Sequence, residues 1–225
     1  MIGNGTSMDG SSKQFDVQKA AQHAIRPAIP PEKFRVFVFG PSLQPDDKVQ
    51  IPTFPPGDRN QIIEHARYLR YATKVALEKE NFTVDFGETR DIFNFWSFSF
   101  KGYDTASFEL YHARWGCGAI IIYPSSEGSI CELSLFSLRD EVSKKTLAII
   151  HEPFRDHNSF FNKAILELFK QINGTSEYIN YGNHNQCVAE AVRFVKGKYT
   201  AFLRKYQESE DIDRWKSEHA RILNS

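Results

Sequence analysis

The sequence has few cysteines, only two methionines, no long apolar run and no excess of either charge. Its three cysteines, Cys117, Cys131 and Cys187, are an odd number without CxxC spacing. This argues against a disulfide framework or a structural zinc site and favours a reducing compartment. No apolar run approaches the roughly 20 residues that a membrane-spanning helix needs. We therefore expect a cytoplasmic protein with no membrane segment and no bound metal.

Neither sign of charge dominates, because Lys and Arg together number 28 and Asp and Glu together also number 28. A protein that binds nucleic acid over its whole surface carries a basic excess. Any nucleic-acid contact of this chain is therefore expected to be local. Residues 1–13 are rich in Gly, Ser and Asn and lack the apolar core of a signal peptide.

Strand-like and helix-like segments alternate along the chain. Apolar, β-branched and aromatic runs predict strands at residues 34–39, 82–86, 117–123, 145–150 and 177–181. Periodic apolar patterns predict helices at residues 58–79, 105–115, 129–139, 158–172 and 188–206. Such alternation is typical of βαβ units and a mainly parallel sheet.

We therefore predict an α/β fold, with a three-layer, Rossmann-like or flavodoxin-like sheet of four or five mainly parallel strands and a C-terminal helical extension. Three regions are expected. Residues 1–31 form a polar N-terminal segment, residues 32–183 form the α/β domain, and residues 184–225 form the C-terminal helix and a charged tail.

Two predicted strands end in turns of small and polar residues. The first strand leads into Gly40, Pro41 and Ser42, and the central strand leads into a Gly/Ser turn at residues 125–129. Ligands of open parallel sheets bind outside the carboxyl ends of the strands. A helix that begins at such a turn directs backbone N–H groups and its dipole at an anion. A phosphate-bearing ligand is the natural expectation at this place.

The turn at residues 125–129 carries further groups suited to a ligand. Ser126 and Ser129 add hydroxyl groups, and Gly128 lets a ligand approach the backbone closely. Glu132 is expected one turn into the helix, near the same ligand site. However, the spacing from Ser129 to Glu132 also matches a capping box, in which the two side chains satisfy backbone amides at a helix start. Spacing alone leaves both interpretations open.

Residues 34–42 and 120–136 together resemble the nucleoside deoxyribosyltransferase-like superfamily, and most closely the retron St85-type effector family of bacterial anti-phage systems. That pattern is a strand leading into Gly-Pro-Ser, then a later strand followed by Glu-Ser-Pro-Gly-Ser-x-x-Glu-Leu-Gly-x-Phe. The Gly-Ser-x-x-Glu-Leu core is intact at residues 128–133. The sequence departs from the pattern at Ser125, Glu127 and Ser134, where the family has Glu, Pro and Gly. The resemblance covers residues 34 to about 160.

The resemblance implies an N-glycosidase acting on a nucleotide, a nucleoside or NAD, with no further cofactor. Glu132 would attack or stabilise the sugar C1′ while the base departs, as the carboxylates of glycosidases do. Ser126, Gly128 and Ser129 would bind phosphate or ribose, and residues 40–42 would form the opposite lip. Whether water or an incoming base captures the sugar, giving a hydrolase or a transferase, stays open.

The resemblance also implies a biological role, that of the toxic effector of a retron-type anti-phage system. Its partners would be a reverse transcriptase and its branched DNA, and its pockets would be completed across the subunits of a homo-oligomer. The alternative is a non-catalytic nucleotide-binding sensor or interaction module with the same fold. The loss of the family's first glutamate at Ser125 keeps this alternative open.

Other polar residues have both a functional and a structural interpretation. Glu88 and Asp91 follow the second predicted strand, so they either enter the cleft or are solvated turn residues. The aromatic run at residues 93–100 suits a base-binding wall, an oligomer interface or core packing. A polar helix face is expected at Glu109, Tyr111 and His112.

The last predicted helix has an apolar stripe and a basic face. The stripe consists of Val192, Val195, Tyr199, Phe202 and Tyr206, and the basic residues are Arg193, Lys196, Lys198, Arg204 and Lys205. A helix that docks by its stripe and leaves its cations in solvent explains this pattern. The functional interpretation is a contact with a phosphate backbone or an acidic partner.

Overall fold

The computed structural model describes residues 34–43, 49–87 and 105–223, with the side chains of 105, 108 and 210–223 left aside. Glu88, Asp91 and the aromatic run at residues 93–100 therefore lie outside the described residues. Within these ranges five parallel strands form one sheet in the order β2-β1-β3-β4-β5. The strands are β1 (Arg35–Phe39), β2 (Thr83–Asp85), β3 (Ala119–Ile122), β4 (Thr146–His151) and β5 (Thr175–Ile179).

Helices connect the strands and cover both faces of the sheet. The described helices are α1 (Arg59–Lys79), α2 (Thr105–Tyr111), α3 (Glu127–Phe136), α4 (Asp140–Ser143), α5 (Glu167–Gln171) and α6 (His184–Leu223). A π-helical turn at His112–Gly116 extends α2, and another at Phe161–Leu166 precedes α5. The predicted three-layer α/β fold with a C-terminal helix is thereby confirmed. None of the helices within the described ranges is long and apolar enough to cross a membrane.

The core lies on both sides of the central strands. Val36 and Ile121 point to the face covered by α1 and α6, whereas Phe37 and Ile120 point to the face that carries α3 and α5. All four residues of β3 are fully buried. Burying an aliphatic side chain of this size contributes about 1.5–3 kcal/mol. The continuous apolar run of β3 is therefore the expected consequence of a strand covered on both faces.

A buried arginine fastens α1 to the end of β1. The Arg70 guanidinium donates to the carbonyl oxygens of Val38 at 3.0 Å and Pro41 at 3.0 Å. It also lies over the ring of Phe86, 4.6 Å from the ring centroid. Arg70 was not among the predicted core residues, although it occupies the same helix face as the buried Ala66 and Leu69. A cation on an apolar stripe indicates a buried partner.

The apolar stripe of α6 docks onto the sheet as expected. The ring of Tyr199 lies 5.5 Å from that of Phe34 and 5.5 Å from that of Phe82. The predicted helix end near residue 206 was too early, since α6 continues through the charged segment to Leu223. Residues 207–223 contain no Gly or Pro and include three Glu, two Arg and one Lys. Strong helix formers of this kind extend a helix once its first half is anchored by packing.

Three histidines meet where the segment before α1 passes the starts of α1 and α6. Buried His65 donates from Nε2 to the Phe54 carbonyl at 2.8 Å, and its Nδ1 lies 2.8 Å from Nε2 of His184. Because a carbonyl oxygen only accepts, neutral His65 receives the second bond from His184. Burial, followed by the neighbouring His65, lowers the pKa of His184. Burial also lowers the pKa of buried His151.

Two of these histidines, His184 and His151, make the fold sensitive to acid. The unfolded chain takes up their protons near pH 6.5, whereas the folded chain takes them up only at lower pH, because burial lowers both pKa values. Their contribution to stability is therefore complete above about pH 6.5 and is lost as the pH falls through the folded-state pKa. We expect the urea midpoint to fall between about pH 7.5 and about pH 5.5, and His184→Gln to reduce this fall. Exposed His157→Gln is the control, and an equal effect of both substitutions would contradict the assignment.

Candidate functional site

The order of the strands places a crevice between β1 and β3. After β1 the chain crosses to β2 on one side, whereas β3, β4 and β5 follow on the other side. In the 2-1-3-4-5 order, ligands bind outside the carboxyl ends of the two strands where the direction reverses. Phe39 pairs with Ile122 in the register of these strands. The two turns singled out in the sequence are therefore neighbours at this crevice.

Contacts with Tyr123, Arg70 and Arg67 hold the turn after β1 in place. Gly40 is buried with φ +156°, and a Cβ at this position would lie 3.5 Å from the Cβ of Tyr123. Pro41 is buried, and its carbonyl is occupied by Arg70. Ser42 is exposed, and its carbonyl accepts from Nε of Arg67 at 3.2 Å. Of the three predicted residues, Ser42 alone offers an exposed side chain.

The turn after β3 closes on itself through a capping box. Ser126 is the N-cap of α3, and its hydroxyl accepts from the Ser129 amide at 3.3 Å. The Ser129 hydroxyl accepts from the Ser126 amide at 3.0 Å and from the Ser125 amide at 3.0 Å. The predicted helix start at residue 129 was thus two residues late, and the predicted capping box of Ser129 with Glu132 was wrong. The third helical position of a capping box usually carries Glu or Gln. Here Ser129 occupies this position, and its short side chain also reaches the backbone amide of the cap residue Ser126.

In this capping box the predicted phosphate-binding residues differ in how accessible they are to a ligand. Ser129 is buried, and its hydroxyl is committed to the cap. Gly128 is exposed, and a Cβ at this position would meet no heavy atom within 4 Å. A ligand therefore has free access to the backbone at Gly128. Exposed Glu127 forms an ion pair with Arg59 of α1 beside it.

Glu132 lies in the second turn of α3, at the edge of its buried face. Ser129, Leu133 and Phe136 form that buried face. Glu132 is half-buried, and its Oε2 is shielded from solvent. At 100° per residue, Glu132 lies about 160° around the helix from Ile130. Because Ile130 lines a cleft next to the segment after β4, Glu132 lies on the flank toward β1.

Another carboxylate approaches the β1 side of the crevice. Oε1 of Glu109 on α2 lies 3.3 Å from the place that a Cβ on Gly87 would occupy. The same place is 3.9 Å from the ring of Phe39, the last residue of β1. Glu109 is half-buried, so it is not part of a fully solvated helix face.

His112 lies below the crevice and not in solvent, so the predicted polar helix face was wrong at this residue. It is buried, with its Nε2 3.5 Å from Oδ2 of Asp85 and its ring against Phe37. Burial raises the pKa of Asp85, but the bond with His112 and the charge of Arg35 lower it further, so the net shift is downward. His112 is also the first residue of the π-helical turn.

The described residues contain no group of three or more His, Cys, Asp or Glu side chains that could hold a metal ion. Of the five basic residues predicted to form the basic face of α6, three bond within the chain. Arg193 pairs with Glu190, Lys196 pairs with Glu80 at 2.9 Å, and Lys198 donates to the Lys144 carbonyl. Arg204 and Lys205 are exposed farther along the helix.

The sheet order 2-1-3-4-5 is that of flavodoxin-like α/β proteins. The sequence matches the STM3845 retron effector protein family over residues 66–222, which is more than half of the chain. The protein therefore belongs to this retron effector family. No curated protein matches the sequence. The retron part of the resemblance is confirmed, and the nucleoside deoxyribosyltransferase-like part stays a prediction.

The two glycines of the crevice are expected to respond oppositely to alanine. Gly40→Ala should lower the free energy of unfolding by about 1–3 kcal/mol, because residues with a side chain rarely adopt its φ. Gly128→Ala should leave the free energy of unfolding unchanged or raise it by up to about 1 kcal/mol, since the new methyl group meets nothing. Urea unfolding followed by circular dichroism measures both values. Equal destabilisation of the two variants would contradict the geometry.

Proposed function

We propose that the protein is the effector of a retron-type anti-phage system and acts as an N-glycosidase on a nucleotide, a nucleoside or NAD. The observation that carries the proposal is the position of Glu132. This carboxylate lies partly shielded from water at the sheet edge where a ligand is expected, on the helix that begins at the Gly/Ser turn. Family membership supports the effector role, and the chemistry of the crevice supports the reaction.

A carboxylate in this position suits cleavage of an N-glycosidic bond. As the base departs, positive charge develops at C1′ and the ring oxygen of the sugar. Glu132 would stabilise this charge or bond covalently to C1′, and partial burial strengthens the electrostatic effect. Water or an incoming base would then release the sugar. Exclusion of water around Oε2 is what such a role requires.

The remaining groups of the crevice have complementary roles in this proposal. The exposed backbone at Gly128 and the start of α3 would bind the phosphate, if the substrate has one, or the ribose. Ser129 supports them by holding the cap. Glu109 is the candidate acid for protonating the departing base, a role that contributes typically 10²–10⁴-fold in rate. Gly40 and Ser42 would form the opposite lip.

A non-catalytic nucleotide sensor is the second candidate. It is favoured by Ser125, which stands where the resembled family has a glutamate, so one carboxylate of the motif is missing. Retaining glycosidases use two carboxylates. The sensor would use the same crevice and bind a nucleotide without cleaving it. Glu132 would then orient the ligand by accepting hydrogen bonds from its hydroxyl groups.

The proposed macromolecular partners are the reverse transcriptase of the retron and its branched DNA. On α6, exposed Arg204 and Lys205 are placed to contact phosphates, whereas Arg193, Lys196 and Lys198 earlier in the helix have partners in the chain. Two such contacts would make binding moderately dependent on salt. Completion of the crevice by a second copy of the chain is a further part of the proposal.

The deciding experiment compares wild type with Glu132→Gln during induced expression in bacteria. We expect wild type to arrest growth and to deplete NAD or one nucleotide pool with release of its free base, as measured by mass spectrometry. The variant should lower the rate of base release by at least about a hundredfold, because the neutral amide cannot stabilise the developing charge. Glu167→Gln, an exposed carboxylate change on α5, is the matched control.

The outcome separates the two candidates. Base release by wild type and Glu167→Gln but not by Glu132→Gln supports the enzyme. If all three proteins fold and none releases a base, even when expressed together with the reverse transcriptase and its DNA, the glycosidase proposal fails. Retained nucleotide binding in that case would favour the sensor.

A further inference from the structure

A second cleft, of about 450 Å³, lies on the flank of α3 that carries Ile130 and faces away from Glu132. Its walls are the start of α1, the first turns of α3 and the segment after β4. Apolar side chains of all three walls line it, among them Ile62, Phe154 and Phe161. A recess of this size with apolar walls and a few polar groups is typical of a small-molecule site. The proposed glycosidase site makes no use of it.

The rim of this cleft is basic. Arg59 and His157 line it, and none of the described residues that line it is acidic. Both side chains belong to exposed residues, so a ligand reaches their N–H groups directly from solvent. The neighbouring carboxylate of Asp58 is engaged elsewhere, because it accepts from the Gln61 amide at 2.9 Å as the N-cap of α1. The charge of the rim therefore favours an anionic end on the ligand.

Arg59 forms an ion pair with Glu127, which joins the first turns of α1 and α3. The contact is between Nη2 of Arg59 and Oε1 of Glu127, whereas a guanidinium group has five N–H donors. The Arg59 side chain is 67% exposed and the Glu127 side chain is 77% exposed. An ion pair exposed to this degree contributes little to stability. A ligand anion can therefore take the place of the Glu127 carboxylate at small cost.

The walls of the cleft are held by bonds that need no ligand. At the start of α1, the Gln61 side chain accepts from the Gly57 amide at 3.0 Å. In the wall after β4, Nδ2 of Asn162 donates to the carbonyl oxygens of Phe154 at 2.6 Å and His157 at 2.8 Å. A preformed recess loses little conformational entropy when a ligand binds.

We propose that this cleft binds a small organic anion with a flat, apolar body, either an aromatic carboxylate or an aromatic phosphate. The rings of the ligand lie against Phe154 and Phe161, and its charged end binds the guanidinium group of Arg59. Arginine binds carboxylates and phosphates alike through paired N–H donors. The site is separate from the proposed catalytic crevice, and the inference does not depend on the glycosidase reaction.

Isothermal titration of the full chain with four matched compounds tests the chemistry of the site. Naphthyl phosphate and naphthoate carry the two anionic ends on one body. Naphthol has the body without the charge, and inorganic phosphate has the charge without the body. We expect at least one aromatic anion to bind about tenfold more tightly than naphthol and inorganic phosphate. The tighter of the two aromatic anions identifies the charged end that the cleft prefers.

The two partners of the ion pair are expected to respond in opposite directions. Arg59→Gln should weaken binding of the tighter aromatic anion about tenfold, because it removes the cation. Glu127→Gln should strengthen this binding about twofold to fivefold, because it removes the competing carboxylate. A purely structural ion pair predicts a change in the same direction for both variants. Arg193→Gln, which removes a similarly exposed arginine from its ion pair with Glu190, is the matched control.

A third variant locates the ligand. Ile130→Trp fills the cleft and should abolish binding of the aromatic anion. The proposal is overturned if neither aromatic anion binds more tightly than naphthol, if Arg59→Gln lowers the affinity no more than Arg193→Gln does, or if Glu127→Gln does not raise it. Full binding by Ile130→Trp overturns it as well. None of these measurements involves base release, so failure here is distinguishable from failure of the glycosidase proposal.

Discussion

The five parallel strands are stable only if both faces of the sheet are covered, and the rest of the structure depends on this constraint. The faces of β3 and β4 cannot expose polar groups to a ligand, because every residue of these strands is buried. Polar groups are exposed at the carboxyl ends of the strands, where the chain leaves the sheet. Arg70 belongs to the same arrangement, since it satisfies the carbonyl groups that β1 exposes as it turns away from the sheet. The location of the crevice thus follows from the burial of the sheet.

The turn between β3 and α3 has a structural and a chemical role. Ser126 and Ser129 bond to one another and begin the helix, so they need no ligand to be stable. This leaves the exposed backbone at Gly128 and, one turn farther along α3, the half-buried carboxylate of Glu132. The same turn thus begins the helix and carries the groups on which the proposed chemistry depends.

Much of the fold was predictable because hydrophobic period and strand length are local properties of the sequence. The apolar run at residues 119–122 and the periodic stripe of α1 indicated a buried strand and a covering helix, and both are present. Helix ends were less predictable. Ser126 and Ser129 are both good N-caps, and the choice between them depends on which backbone amides remain unpaired after the strand ends. His112 was missed because its burial results from packing against Asp85 and Phe37, which lie on strands far from it in the sequence.

By itself, the sequence determined the alternation of strands and helices, the two turns that carry the candidate chemistry and the motif around Glu132. These depend on residue type and spacing along the chain. The tertiary structure alone decided the strand order, which makes the turns after β1 and β3 neighbours. It also placed Arg70 beneath the turn after β1 and His112 beside Asp85. Such pairings join residues that are tens of positions apart, and only the packing of helices on a shared sheet selects them.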